Sequence, residues 1–197
     1  SKYITRDLIG RFIQIELMVG LLGGFSAVGL FLVFIWLSAP FKLVLYLVVF
    51  GVGALVGLEI PLVMRILKRE LAFKDLVSQV LTFDYLGALV VSILFPLILA
   101  PQLGMVRTGL LFGVLNVAVA LWALHLFRDQ LPARRGLLLQ SWTVFGLLVA
   151  GFAGAGHLTT FAETHLYADD IVHAESTPYQ RIVVTRWRDD LRLFLNN

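Results

Sequence analysis

The sequence predicts an all-α polytopic membrane bundle of about five transmembrane helices, followed by a short β-hairpin segment. Hydrophobic residues make up 59% of the chain and charged residues only 15%, whereas soluble domains carry about 25% charged residues. Apolar runs fill residues 12–161, and short, alternating, charged segments begin near residue 165. We therefore predict a transmembrane helical domain over residues 1–161 and the start of a soluble β-hairpin domain over residues 162–197.

Each apolar run reaches the roughly 20 residues that a helix needs to cross about 30 Å of hydrocarbon. The predicted spans cover about residues 12–37, 41–64, 80–100, 103–127 and 137–161. Ser38-Ala39-Pro40 separates the first two spans, and Pro101-Gln102-Leu103-Gly104 separates the third and fourth. Glycines four residues apart predict close helix packing and no chemistry; they are Gly20 and Gly24, Gly53 and Gly57, and Gly109 and Gly113, with Gly151, Gly154 and Gly156 in the fifth span.

The distribution of basic residues predicts the orientation, because Lys and Arg concentrate on the cytoplasmic side of membrane proteins. In a five-span arrangement, one side of the membrane holds ten basic residues: Lys2, Arg6, Arg11, Arg65, Lys68, Arg69, Lys74, Arg128, Arg134 and Arg135. The short turns on the other side hold only Lys42 and Arg107. Residues 128–136 are therefore predicted to be cytoplasmic and the tail, 162–197, extracytoplasmic. The net charge of +3 reflects this asymmetry, so nucleic acid is not a predicted partner.

Three carboxylates interrupt the predicted spans: Glu16, Glu59 and Asp84. An ionisable group in a membrane helix costs roughly 2.5 to 3.5 kcal/mol on insertion scales, so each needs compensation. Their distances from the span ends place all three roughly 7 to 9 Å inside the cytoplasmic boundary. Glu16 shares a helical face with Gly20 and Gly24, and Asp84 shares one with small residues at 87, 88 and 92, so both are predicted to point into the bundle. For Glu59, two residues before Pro61, the spacing shows less clearly whether the side chain points into the bundle.

Two interpretations of these carboxylates stay open, besides contacts with lipid or water. In the first, Arg11, Arg65 or Lys68 neutralises them as ordinary ion pairs near the interface. In the second, Glu16, Glu59 and Asp84 form an acidic pocket for a cation or a proton.

Several kinds of chemistry are excluded by composition and motif. The absence of cysteine excludes disulfides, Cys-ligated zinc, iron–sulfur centres and thiol catalysis. His125 lies at the predicted cytoplasmic end of the fourth span, whereas His157 lies near the opposite membrane surface in the fifth. They are therefore too far apart to ligate one haem. No Gly-rich phosphate loop, nucleophile elbow, HExxH or EF-hand pattern occurs. We therefore predict no metal site, no resident cofactor and no catalytic residue in this chain.

The tail predicts two paired strands. Residues 179–187 are rich in β-branched and aromatic residues, and Arg188-Asp189-Asp190 is a turn signal. Leu191, Leu193 and Leu195 then alternate and should lie on one face of the second strand. A lone hairpin is marginal in water, so we expect this leucine face to be buried against a further soluble domain or a second copy of the tail.

Two parts of the sequence resemble one enzyme family. STPYQRIVV at residues 176–184, followed by LRLFLN at 191–196, resembles the N-terminal β-hairpin region of polyamine aminopropyltransferases, the spermidine synthase family. GLEIPL at 57–62, DYLGA at 84–88 and LFP at 94–96 resemble the multi-span domain that some bacterial members carry before the enzyme domain. The resemblance implies a bacterial inner (plasma) membrane protein.

The resemblance also implies a role for one tail residue. In the family, the glutamine of the Tyr-Gln pair contacts the aminopropyl donor, decarboxylated S-adenosylmethionine, or its methylthioadenosine product, so Gln180 would have that role. Without the resemblance, Gln180 would be interpreted as a solvent-facing strand residue. The family's Gly-rich nucleotide loop, acidic donor-binding residues and catalytic aspartate would lie beyond Asn197. We therefore expect a chain truncated before its catalytic domain and unable to transfer an aminopropyl group alone.

Two functions follow from these observations. The first is the membrane domain of a spermidine synthase-like protein, which anchors an aminopropyltransferase-type domain and binds cationic polyamines. The alternative is a transporter-like or assembly subunit of a membrane complex with no catalysis of its own. The expected partners are the lipid bilayer, the missing soluble domain, and a second copy or another membrane subunit. One conflict remains: the donor is cytoplasmic according to the resemblance, whereas the basic residues place the tail outside.

Overall fold

A computed structural model describes residues 2–36, 40–68, 73–166, 169–177 and 180–195 of the chain. The five α-helices are α1 Lys2–Trp36, α2 Phe41–Leu67, α3 Phe73–Leu94, α4 Gly104–Leu126 and α5 Arg134–Leu166. A π-helical segment, Phe95–Leu103, joins α3 to α4, and a 3₁₀ turn, Arg128–Gln130, precedes α5. The positions predicted as turn or motif at 38–39, 178–179 and 196 lie outside the described residues.

Four helical stretches among the described residues are long and apolar enough to cross a membrane: Leu8–Phe34, Phe41–Leu67, Asp75–Leu126 and Arg134–His157. The third has 52 residues and would be about 78 Å long if straight, more than twice the thickness of a hydrocarbon core of about 30 Å. It contains the predicted third and fourth spans. The sequence therefore located the apolar runs correctly, and helical structure continues from the third predicted span into the fourth.

The chain folds back within that long stretch. Thr108 Oγ1 donates a hydrogen bond of 3.1 Å to the Leu99 carbonyl, although residues nine apart are separated by about 13.5 Å along a straight helix. Pro96 and Pro101 have no N–H to donate, which favours the wider π-helical path over a regular α-helix. Gly104 follows with φ of 76°, a conformation that glycine adopts without steric cost. The predicted turn at 101–104 thus exists, built as a helical bend.

Glycines hold α1 and α4 together. A Cβ added to Gly113 would lie 2.6 Å from the Gly20 carbonyl oxygen, and one added to Gly109 would lie 3.4 Å from the Gly24 carbonyl oxygen. Residue numbers rise along α1 as they fall along α4, so the two helices are antiparallel. The predicted packing role is confirmed for these four glycines. The predicted packing role is wrong for Gly53 and Gly57. A Cβ added at either position would meet no atom within 4 Å in the described chain.

The apolar core lies between α1, α4 and α5, with α1 also in contact with α2. Ile13, Leu110 and Leu148 are fully buried, one from each of the three core helices. The rings of Phe34 and Phe41 meet edge to face at 5.2 Å where α1 turns into α2. In contrast, α2 has no buried residue, and Leu76 is the buried residue of α3 within its described side chains. The outer pair, α2 and α3, therefore leaves most of its apolar surface uncovered.

The tail forms a three-stranded antiparallel sheet in the order β1-β2-β3: β1 Asp170–Ser176, β2 Arg181–Trp187 and β3 Asp190–Leu195. The predicted hairpin is β2 and β3, and Arg188 in its turn has φ of 54°. The prediction of two strands was incomplete, because β1 was missed. The β1 sequence, DIVHAES, lacks a clear apolar alternation and is interrupted by a bulge between Ile171 and His173, so its pairing with β2 is what makes it a strand. α5 also runs five residues past the predicted end at 161.

The leucines of β3 share one face, as predicted. Leu193 lies opposite Val184 and Leu195 opposite Ile182 in the β2–β3 register. Leu191, Leu193 and Leu195 are 63%, 61% and 49% exposed, while Val183 on the other face is 1% exposed. The described chain therefore buries the opposite face, and burial of the leucine face by a further domain or second copy stays a prediction.

Candidate functional site

Glu16, Glu59 and Asp84 lie on the three consecutive helices α1, α2 and α3, and their burial differs. Glu16 is only 6% exposed, because it lies between Ile13 and Leu17 on the part of α1 that packs in the core. Glu59 is half-buried and Asp84 is exposed. Accessibility thus increases from α1, at the centre of the bundle, to α3, at its edge.

The prediction that Asp84 points into the bundle is wrong for the described chain. Asp84 is exposed, and a Cβ on Gly87 one turn later would meet no atom within 4 Å. The Ser92 hydroxyl donates to the Leu89 carbonyl of its own helix at 2.8 Å, so it makes no bridge to another helix. The reason is that α3 contacts mainly α2 and the π-helical segment, which leaves its small-residue face without a neighbour.

The helix order gives the order of the three groups. Helix α2, which carries Glu59, contacts both α1, which carries Glu16, and α3, which carries Asp84. Glu59 is therefore the middle member, with Glu16 on its inner side and Asp84 on its outer side. We call this arrangement the acidic row.

The acidic row lacks neutralising partners within the described chain. Glu59 Oε1 is buried without a hydrogen-bond partner there. Among the described residues, none of the three carboxylates forms an ion pair with Arg65 or Lys68, and Arg11 has an interaction of its own. The ion-pair interpretation and the acidic-pocket interpretation both stay predictions.

The geometry does not suit one coordinated metal ion. Within the described residues no group of three His, Asp or Glu side chains could hold a metal ion. Hard cations such as Ca²⁺ and Mg²⁺ require several oxygen ligands converging within about 2.0 to 2.6 Å. Convergence of the three carboxylates in one pocket for a hydrated cation or a polyamine stays a prediction.

Gln180 stands just before β2, in a turn that is fixed at both ends. The Thr177 N–H donates to the Gln180 carbonyl at 2.9 Å, and the Gln180 N–H donates to Thr177 Oγ1 at 3.0 Å. The Thr177 hydroxyl in turn donates to the Gln180 carbonyl at 2.9 Å. These bonds hold the backbone of Gln180 and leave its side chain half-exposed. No contact in the described chain brings it to the acidic row, and its contact with a donor nucleoside stays a prediction.

One tail cluster was not found from the sequence. Arg192 Nη1 donates to Asp169 Oδ2 at 3.1 Å, and the Asp169 side chain is buried. The Arg192 guanidinium also lies 5.8 Å from the centre of the Trp187 ring, a cation–π distance. The three residues join β3 to the segment before β1. Only the strand order reveals this, because 23 residues separate Asp169 from Arg192 in sequence.

Comparisons with known proteins agree with the family resemblance. No protein-family model matches the chain, and no solved structure matches it. "Polyamine aminopropyltransferase 2" of Ralstonia nicotianae is 56% identical over 202 residues, which are 100% of this chain and 40% of that protein. "Polyamine aminopropyltransferase" of Leptospira interrogans is 50% identical over 200 residues, 100% of this chain and 39% of that protein.

A more distant relative extends the same pattern. "Polyamine aminopropyltransferase" of Mycobacterium tuberculosis is 36% identical over 195 residues, which are 94% of this chain and 37% of that protein. The chain spans about 40% of the length of the first relatives it matches. It is therefore homologous, along its whole length, to a part of proteins named polyamine aminopropyltransferases.

Proposed function

We propose that this chain is the membrane domain and first sheet of an aminopropyltransferase-type protein, in which it anchors the enzyme in a bacterial inner membrane. The homology to polyamine aminopropyltransferases supports the enzyme class. The four long apolar stretches support the membrane location. The transfer reaction itself belongs, in this proposal, to the parent protein, with decarboxylated S-adenosylmethionine as the aminopropyl donor and Gln180 as one of its contacts.

The surface of the helices suits a lipid environment. Phe50 on α2, Phe83 on α3 and Trp122 on α4 are each about 70% exposed or more. Soluble monomers rarely expose apolar patches larger than a few hundred Å², whereas hydrocarbon solvates such side chains without cost. The bilayer is therefore the partner that these faces fit, and α2 and α3 offer it the most surface.

We propose further that the acidic row binds a cationic amine. The observations that carry this are the burial of Glu16, which is 6% exposed, and Glu59 Oε1, which is buried without a hydrogen-bond partner in the described chain. A buried carboxylate without a partner is costly, and a cation that pairs with it removes that cost. An alkylammonium group suits the site, because it donates hydrogen bonds to one carboxylate at a time and needs no converging ligand shell.

Replacing Glu59 with glutamine tests the amine site. Removing the middle charge should weaken spermidine binding to the purified chain by about tenfold, or about 1.4 kcal/mol. Because ionic attraction is screened, the difference between wild type and Glu59→Gln should shrink as salt is raised. Isothermal titration calorimetry in lipid nanodiscs measures both.

The control is Asp129→Asn, which removes an exposed carboxylate whose ion-pair partner among the described residues is the neighbouring Arg128 at 3.6 Å. This variant should bind spermidine like wild type. If Glu59→Gln keeps full affinity for spermidine but melts at a lower temperature, Glu59 has a structural role and the amine site is refuted.

The orientation is tested with introduced cysteines, because the native chain has none. Ser176→Cys, in the tail, should react with a membrane-impermeant maleimide in intact cells. Ala133→Cys, in the predicted cytoplasmic segment, should react only after permeabilisation. The reverse pattern would place the tail in the cytoplasm and would remove the conflict with a cytoplasmic aminopropyl donor.

A further inference from the structure

One end of the helical bundle carries basic side chains and no acidic ones among its described residues. It is formed by the end of α1, the starts of α2 and α4, and the end of the apolar stretch of α5. Its charged residues are Lys42 and Arg107, and the described residues of these four helix ends include no Asp or Glu. We call this the basic end. Its charge is complementary to an anionic ligand.

Arg107 at this end is held against α5. Its Nη2 atom lies 3.3 Å from the point where a Cβ added to Gly156 would stand. The guanidinium therefore lies across the α5 backbone, in a notch that exists because residue 156 has no side chain. An arginine that only sought water would extend away from the helices. Arg107 is instead turned along the α4–α5 flank, where lipid lies in the proposed membrane location.

The donors of Arg107 are available to a ligand. Arg107 is exposed and forms no ion pair with another described residue. A guanidinium carries five N–H donors in a planar fork and keeps its charge at any physiological pH. It therefore pairs best with an anion that presents two oxygens side by side, which carboxylates and phosphates do. The described residues of the basic end supply no carboxylate.

The depth of the basic end identifies the anion as a lipid phosphate. Trp36 on α1 and Tyr46 on α2 are 70% and 68% exposed, and such aromatic residues are typical of the headgroup level of a bilayer. Phe50, one turn further along α2, is 76% exposed and marks the hydrocarbon side. Arg107 lies in the first turn of α4 at the same end, so its guanidinium is at the level of the phosphate groups.

On this basis we propose that Arg107 binds the phosphate of an anionic phospholipid at the α4–α5 flank, with Gly156 as the residue that positions its guanidinium. Two N–H groups of the guanidinium donate to two oxygens of the phosphate, and the acyl chains lie along the apolar surface of the helices. The inference rests on the membrane location in the proposed function and is independent of the acidic row. It adds a specific lipid site to a domain whose proposed role is anchoring.

Native mass spectrometry of the purified full chain in detergent measures the lipid affinity. The probes are phosphatidylglycerol, a diacylglycerol that lacks the phosphate, and inorganic phosphate, which lacks the acyl chains. Wild type should bind phosphatidylglycerol and neither of the other two at the same concentration. Arg107→Lys keeps the charge but loses the fork, and Gly156→Leu keeps the charge but fills the notch. Each should weaken phosphatidylglycerol binding by about tenfold, which corresponds to about 1.4 kcal/mol.

Two matched variants act as controls. Lys42→Gln removes the other basic residue of the basic end. Gly154→Leu adds the same side chain to α5 at a position where an added Cβ meets no atom within 4 Å in the described chain. Both should bind phosphatidylglycerol like wild type. Circular dichroism and thermal melting check that each variant is folded, and Arg107→Lys alone decides the result if Gly156→Leu is not.

The outcomes separate this site from general attraction to lipid. If Lys42→Gln weakens binding as much as Arg107→Lys does, the attraction comes from surface charge and the site is refuted. If a folded Gly156→Leu binds like wild type, the notch does not position Arg107 and the proposal is also refuted. If inorganic phosphate binds as tightly as the lipid, the ligand is free phosphate and the lipid site is refuted. The proposed membrane location fails separately, if the chain is absent from the membrane fraction of expressing cells.

Discussion

Replacing Gly113 with leucine is expected to destabilise the helical bundle more than any other single change at its glycines. A Cβ at this position would lie 2.6 Å from the Gly20 carbonyl oxygen, 2.9 Å from Leu148 Cδ2 and 3.1 Å from Gly24 Cα. Two of these contacts are backbone atoms, which cannot rotate away, so α1 and α4 must separate. We expect a loss of about 3 kcal/mol, the upper end of the usual cost of overpacking.

Thermal unfolding in detergent measures this loss, and Gly53→Leu is the matched control. Gly53 lies on α2, where an added Cβ meets no atom within 4 Å in the described chain, so its replacement should change the melting temperature little. Equal melting temperatures for Gly113→Leu and wild type would contradict the close α1–α4 packing. A large loss in Gly53→Leu would show that another helix covers α2 in the membrane.

Replacing Val183 with aspartate is expected to unfold the tail sheet while the helices stay inserted. Val183 is 1% exposed and pairs with Ala174 on β1 and Phe194 on β3. A carboxylate buried there has no partner, and such changes cost at least about 3 kcal/mol. That is a large part of the stability of a small sheet, so limited proteolysis in nanodiscs should cut near β2 and leave a protected helical fragment.

Leu193→Asp, on the opposite face of the sheet, is the control. Leu193 is exposed in the described chain, so the tail should keep its protease resistance. If this variant opens the sheet as readily as Val183→Asp, the leucine face is covered in the protein, as the sequence predicted. If Val183→Asp keeps full resistance, the buried face of the sheet is not a folded core.

The helices were predictable because each one needs its own apolar run, and the run is visible in the sequence. The continuity of helical structure through Phe95–Leu103 was not. Pro101 and Gly104 indicate a turn in any setting, and only the surrounding helices decide that the turn stays helical. β1 was missed for a related reason: β2 supplies the pairing that its own residues do not demand.

The carboxylates were predictable as a site because charge in an apolar helix is costly wherever it lies. Their grading was not, since it depends on how far each helix is packed into the bundle. Helical spacing predicted that Asp84 points into the bundle. This was wrong because α3 has few contacts with the core, so neither face of α3 is much more buried than the other. Spacing gave the correct result for Glu16, because α1 is surrounded by other helices.

In the proposed membrane location, the bend at residues 95–104 also affects where α3 and α4 lie relative to the two membrane surfaces. Peptide groups in hydrocarbon must be hydrogen-bonded within the protein, which ordinarily forces a connecting loop out to water. Here the Gly104 N–H bonds to the Ala100 carbonyl and the Leu99 carbonyl accepts from Thr108, so much of the connection supplies its own partners. If α3 and α4 cross the membrane as proposed, the backbone of this bend does not require water, and polar side chains such as Arg107 and Gln102 would set its depth.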